Sequence, residues 1–500
     1  MKRNSNSLKL KRLHIDAQIE HIVFMPKDCP IHKSEGFSSL NRVKVRVNKK
    51  TLIASLNIID NGILKEGEAG LSESAWKALN AREGDLIRFS HCAPVDSMKY
   101  VRGKMYGKKL SEINFKEILQ DVVEGRYSNV ELSAFITACA GDNLSLKEIT
   151  FLTRAMVGSG RTLTWNSKIV ADKHCVGGLP GNRTSPIVVA IVAAAGIKIP
   201  KTSSRAITSP AGTADTMETL TYVELDTAKI RKVIAAENGC LSWGGTVKLS
   251  PADEILIRIE RALDIDSYGQ MIASVLSKKS AAGSTHVVID IPVGKTAKVR
   301  TKEDAEKLKY YFKVVAASLN LKVKILITDG SQPIGRGVGP ALEALDVLSV
   351  LKNEKGAPQD LKNRSVMIAG EILELVGKVR SGKGFAAALL ILENGSAYKK
   401  FEAICLAQGG MKKPKPARYK KAVRANRDGV VKEIDNRLLA KVAKLAGAPK
   451  EPGAGVVLLC PVGTPLKKGD VLYYVYAQAS GELHYALDYL KQQPDIITIR

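Results

Sequence analysis

Five hundred residues and 54.0 kDa exceed what one hydrophobic core supports, so roughly three or four domains are expected. Apolar residues at 45% and charged residues at 25% exclude a disordered or fibrous chain, and no apolar run approaches the length of a membrane helix. Seven cysteines without a CxxC pair argue for reduced thiols in a cytoplasmic protein, and the basic start lacks the apolar stretch of a secretory signal. A net charge of +26 concentrates anions without choosing among them.

The first elements are short apolar runs separated by turn residues: HIVFM, VKVRV, LIASLNII and LIRFS, a β-rich domain over residues 1–96. Helical spacing follows in INFKEILQDVVEG and SLKEITFLTRAMVGSG, with Ser145 and Glu148 placed as a capping box. Helices over 103–165 and 252–283 are expected to form one discontinuous helical domain. Between and after them strands and helices alternate: KIVADKH, TSPIVVAIVAAAG, HVVIDIPVG, EDAEKLKYYFKVVAASL, KVKILITD and GPALEALDVLSVLK. That pattern predicts an α/β domain with a central mixed sheet over 166–251 and 284–411. The basic run KKPKPARYKK (412–421) reads as a solvated linker, and ANRDGVVKEI and GDVLYYVYA predict a small α+β module over 422–500.

Chemistry concentrates in two loops. KHCVGGLPGNRTSP (173–186) follows a strand and opens a helix. Its glycines let several N–H groups face one point, Thr184 or Ser185 can cap the helix, and Lys173 adds a cation: an oxyanion cradle that lacks the Walker Gly-Lys-Ser/Thr ending. SSRAITSPAGTADTME (203–218) also runs into a helix start and carries hydroxyls around Arg205, with Asp215 and Glu218 spaced as a capping box. Such loops belong at the carboxyl ends of strands in an open sheet, where they can hold one phosphate from two sides. Cys175 has no partner thiol in sequence and reads as a packed residue, and His174 as loop support. Of the adjacent Lys278 and Lys279, at least one is expected on a solvated helix face.

Together these loops resemble the phosphate and nucleoside motifs of the thymidine phosphorylase and pyrimidine-nucleoside phosphorylase family, more closely its AMP phosphorylase branch. The likeness extends to ASVLSKKSAAG, IPVGKTAKV, TDGSQPIGRGVGPALE and GDVLYYVYA, and the extra N-terminal domain also fits that branch. The resemblance implies phosphorolysis of a nucleoside or nucleoside 5′-monophosphate, AMP or thymidine, by inorganic phosphate as co-substrate. It implies no metal and no cofactor, and a homodimer or larger homo-oligomer whose helical and α/β domains close on a cleft. Carried over by motif, Lys173, Ser185, Ser203 and Thr213 hold phosphate. Gly178, Ser204, Arg205, Ala206, Ile207, Thr208, Ser209, Ser274 and Lys298 contact the nucleoside or nucleotide, and Asp266 donates the proton. Arg183 or Arg205 would suit a 5′-phosphate.

Two rivals remain at this stage. An anthranilate phosphoribosyltransferase of related architecture would need magnesium, and no paired-carboxylate motif supplies it. A basic, non-catalytic relative bound to nucleic acid would fit the charge, but aromatics are only 5%, so neither nucleic acid nor membrane is expected as a partner.

Overall fold

The computed structural model describes residues 7–500 apart from 19, 61, 207, 208, 248 and 266, and of Pro494 only the backbone. The chain divides into two compact units, Met1–Leu144 with Pro251–Ser267, and Ser145–Ser250 with Tyr268–Arg500.

In the first unit the N-terminal apolar runs close into a barrel. Its strands run in the order Ser7–Arg12, Glu68–Leu71, Ile22–Pro26, Lys50–Ile59, Arg42–Val47 and Leu86–His91, and the last pairs back onto the first. Alternation explains the closure: Val43, Val45 and Val47 point inward with no exposure, while Lys44 and Arg46 face water. Leu10, Met25, Leu56, Leu71 and Ile87 fill the same core. Beyond the barrel, Ser111 and Ser128 open the Glu112–Val123 and Asn129–Ala138 helices through capping boxes with Asn114 and Glu131. The Pro251–Leu263 helix packs on both.

In the second unit the expected box at Ser145 and Glu148 starts the Leu146–Gly158 helix, which packs along Tyr268–Ala281. The α/β part has its strands in parallel: Lys322–Asp329 beside His286–Val293 beside Ala171–Cys175, and Ile199–Ser203 beside Gly239–Trp243. A parallel bridge from Val170 to Lys198 joins the two sets. Where a mixed sheet was expected, this layer is parallel, because each strand returns through a helix on its face. The Thr184–Ala194 helix is buried from Thr184 to Ala193 against the Gln359–Leu375 and Ser396–Gln408 helices, which is why its sequence is apolar on every side.

The C-terminal part is antiparallel. Gly337–Val338, Gly455–Leu458, Val471–Ala477 and Tyr419–Arg424 make one sheet, and Pro465–Leu466, Gly429–Ile434 and Ile497–Ile499 another. The basic run 412–421 is therefore a linker only in its first part. Its end is an edge strand in which Lys420 lies 3.7 Å from the Tyr474 ring centroid, and that cross-strand contact offsets the charge that suggested a solvated segment. Among the described residues no helix is long and apolar enough to cross a membrane.

Candidate active site

The first loop leaves the carboxyl end of the Ala171–Cys175 strand and turns back through Gly177, Gly178 and Gly181, whose φ values of 85°, 81° and 69° are left-handed. Gly181 has a second constraint. A Cβ there would strike the Ile334 carbonyl oxygen and come within 2.8 Å of that of Gly337. Gly181→Ala is therefore expected to lower stability by about 2 kcal/mol. Calorimetry of the variant checks this, and an unchanged melting temperature would contradict it. At Gly178 the same addition would come within 3.2 Å of the Lys298 backbone nitrogen, so the glycine loop and the 294–299 loop touch at that point.

The loop ends at the head of the Thr184–Ala194 helix, where Arg183 is the N-cap and no side chain caps the first N–H groups. Neither Thr184 nor Ser185 caps, contrary to expectation, because both lie inside the first turn. Thr184 instead accepts a hydrogen bond from Lys173 Nζ at 2.6 Å, and Ser185 beside it is 6% exposed. Uncapped N–H groups, a helix dipole and a lysine thus meet at one place.

Near this point lies a buried cluster of charged side chains. Lys173, Lys201 and Lys279 are all at most 5% exposed; Lys201 and Lys279 share the Asp172 carboxylate, and the buried Asp290 carboxylate also acts on Lys173. Lys279 Nζ donates to Asp172 Oδ2 at 2.7 Å, and Lys201 Nζ lies 3.8 Å from Oδ1 while donating to the Thr202 carbonyl at 2.7 Å. Parallel pairing of Val170 with Lys198 sets Lys173 and Lys201, each three residues further on, side by side. Burial pushes the Lys173 ammonium below the usual lysine range, and burial with the Lys279 charge pushes Lys201 well below it. Burial and nearby lysines push the His174 imidazole well below the usual histidine range. The Cys175 thiol is raised by burial to about 12 and accepts a hydrogen bond from Asn182, consistent with a packed residue. Of the two adjacent lysines, Lys279 is a core residue and Lys278 is partly exposed, in keeping with one of them on a solvated face.

The second loop comes to the same helix head. It leaves the Ile199–Ser203 strand, where Ser203 Oγ donates to the Ser242 carbonyl at 3.2 Å, and reaches the Thr213–Glu218 helix. Arg183 bridges the two loops: Nη1 donates to Thr213 Oγ1 and Nη2 to the Ala211 carbonyl, both at 2.9 Å. Lys173 and Thr213 are thus linked through the neighbouring residues Thr184 and Arg183, each by one side-chain hydrogen bond. The capping box differs from the one expected. Asp215 is its acceptor, taking the N–H groups of Gly212 at 2.8 Å and Ala206 at 2.6 Å, because glycine rather than Asp215 is the N-cap. Ser204 presents its carbonyl to the Ala214 N–H at 3.3 Å, and Ser209 Oγ donates to Ala211 at 2.8 Å.

Neither arginine proposed for a 5′-phosphate stands alone. Arg183 Nε meets Glu343 at 2.6 Å, and Arg205 donates to Glu218 at 2.9 Å and Glu224 at 3.0 Å while stacking 4.8 Å from the Trp243 ring centroid. Sequence separation hid these partners, since Glu343 lies 160 residues from Arg183. Ser274 sits on the Tyr268–Ala281 helix that carries Lys279, and its hydroxyl accepts from Lys278 at 3.0 Å. Ile207, Thr208 and Asp266 lie outside the described residues.

Comparison with known proteins decides the family. Residues 167–398 match the glycosyl transferase family a/b domain, 98–160 its helical bundle domain, and 430–496 the pyrimidine nucleoside phosphorylase C-terminal domain. A protein of Hahella chejuensis named "Putative thymidine phosphorylase" is 52% identical over 497 residues, covering 99% of this chain and 98% of its own. One of the same name from Legionella pneumophila strain Paris is 53% identical over 498 residues, covering 100% and 96%. The chain belongs to the thymidine and pyrimidine-nucleoside phosphorylase family. Among solved structures, anthranilate phosphoribosyltransferase from Saccharomyces cerevisiae with PRPP and Mg shares the fold, with a TM-score of 0.51 at 16% identity over 63% of this chain and 98% of that one. The converging loops occupy the motifs that carried the resemblance; Thr184, Lys279 and Glu343 lie within those motifs, and Lys201 two residues before the second loop.

Proposed function

We propose that this pentosyltransferase-family enzyme cleaves the N-glycosidic bond of a nucleoside, or of its 5′-monophosphate, with inorganic phosphate. The observation that supports it is that Lys173, donating to Thr184, stands at an uncapped helix head beside Lys201 and Lys279, which share the Asp172 carboxylate. A dianion such as orthophosphate suits a lysine set beside uncapped N–H groups at a helix head.

In this reading phosphate rests on the first N–H groups of the Thr184–Ala194 helix, Lys173, Ser185, Ser203 and Thr213. One of its oxygens bonds to C1′ as the C1′–N bond breaks, and the electron pair leaves with the base. The base takes a proton from Asp266, the donor implied by the family resemblance. Bound phosphate is both nucleophile and counter-charge for the cationic sugar. Gly178, the 204–209 loop, Ser274 and Lys298 would line the nucleoside side. The products are the free base and a pentose 1-phosphate, or a 1,5-bisphosphate from a nucleotide. The reading includes a homodimer at work in the cytoplasm, without metal or organic cofactor.

Thymidine is the first substrate to test, because Arg183, one of the two arginines considered for a 5′-phosphate, is committed to a buried glutamate. A specific observation keeps the nucleotide in play: Arg205 is 32% exposed and its partners Glu218 and Glu224 are 43% and 58% exposed, so its ion pairs are open to exchange. Incubation with phosphate and thymidine, uridine, AMP, CMP or UMP, with assay of base and sugar 1-phosphate, tests the function; no base from any of them refutes it. If the nucleotide is the substrate, Arg205→Met should raise its KM about tenfold and the KM of the corresponding nucleoside far less. Equal effects on both would remove Arg205 from 5′-phosphate binding.

A further inference from the structure

We propose that Arg183 is a positioning residue for phosphate, acting through Thr213 and held in place by Glu343. This rests on the phosphate-site reading above and adds to it a residue outside the motif-derived ligand set. Three guanidinium nitrogens are each aimed at a different acceptor: Nε at Glu343 Oε2 (2.6 Å), Nη1 at Thr213 Oγ1 and Nη2 at the Ala211 carbonyl (both 2.9 Å). Only a rigid planar fork makes this arrangement, and a lysine ammonium on a flexible stem does not.

Glu343, on the Pro340–Leu351 helix, is 1% exposed. Its Oε2 also accepts from Thr216 at 3.0 Å, and its Oε1 lies 3.4 Å from the Gly339 N–H. The pair therefore ties three helix heads together: Thr184–Ala194, Thr213–Glu218 and Pro340–Leu351. The hydrogen-bond polarity sets the consequence for phosphate. Arg183 donates to Thr213 Oγ1 and so occupies one of its acceptor sites. The threonine's own proton stays available for a second partner, and a phosphate oxygen at the mouth of the loop is an acceptor. Neutralised by Glu343 and 11% exposed, the Arg183 charge acts on the ligand through Thr213 rather than by contact.

The test compares Arg183→Lys, Glu343→Gln, Thr213→Val and the Arg183→Lys/Thr213→Val double variant. Phosphate dissociation constants come from titration calorimetry on the full chain, KM values for phosphate and nucleoside from kinetics, and melting temperature from calorimetry. Arg183→Lys should raise the phosphate dissociation constant about tenfold, the scale of one charge-assisted hydrogen bond, with the nucleoside KM within about twofold of the parent. The double variant should bind phosphate no more weakly than Thr213→Val alone, since the arginine's effect passes through that hydroxyl. Multiplying losses would mean direct contact and overturn the proposal, as would equal rises in both KM values, which mark a merely structural role. Should Arg183→Lys fail to fold, Glu343→Gln and its combination with Thr213→Val provide the same cycle. Arg183-dependent phosphate binding without base release from any substrate would refute phosphorolysis yet leave this inference standing.

Discussion

Lys173→Met is expected to lower kcat/KM for phosphate by about 10²–10³-fold, the range found when a preorganised charge-stabilising donor is removed. Its effect on stability should run the other way. The methionine fills nearly the same volume, and it removes a buried ammonium group whose charge acts against that of Lys201. A variant at least as stable as the parent but nearly inactive marks a residue kept for its ligand. Lys173 also gives stability a pH dependence. Its folded pKa is below its unfolded value, so between the two the unfolded chain binds more protons and stability rises with pH. That rise should be smaller in the variant. Loss of activity that merely parallels a loss of melting temperature would contradict the assignment.

Asp266→Asn carries the second large effect, a fall in kcat of about 10²–10⁴-fold with KM values for phosphate and nucleoside nearly unchanged. Asparagine keeps the size and polarity of the side chain but has no acidic proton to give. The departing base would then leave with its full negative charge. Turnover equal to the parent's would remove Asp266 from the mechanism and leave base protonation to solvent.

Local signals made much of the fold and part of the site readable. The capping box at Ser145, the alternation through Val43–Val45–Val47 and the apolar Thr184–Ala194 helix are each decided within one or two turns of chain, so residue type and spacing suffice. The glycine loop was likewise readable, since left-handed turns at Gly177 and Gly178 follow from the residue itself. What escaped was set by distant partners. Spacing did not tell which of Lys278 and Lys279 faces solvent; Asp172, 107 residues away, holds Lys279 in the core. Arg183 and Arg205 looked like spare cations because Glu343, Glu218 and Glu224 gave no sign in sequence of facing them. At Lys420 the strand depends on pairing with Tyr476, a contact that composition alone reads as a charge run.

The most direct test of the central claim, that orthophosphate seated at this helix head is the nucleophile, is an oxygen-18 experiment. With phosphate labelled at all four oxygens and thymidine as the other substrate, the account predicts a pentose 1-phosphate retaining all four labels, including the oxygen bridging to C1′. Base released without phosphate, or a sugar phosphate whose bridging oxygen is unlabelled, would contradict it.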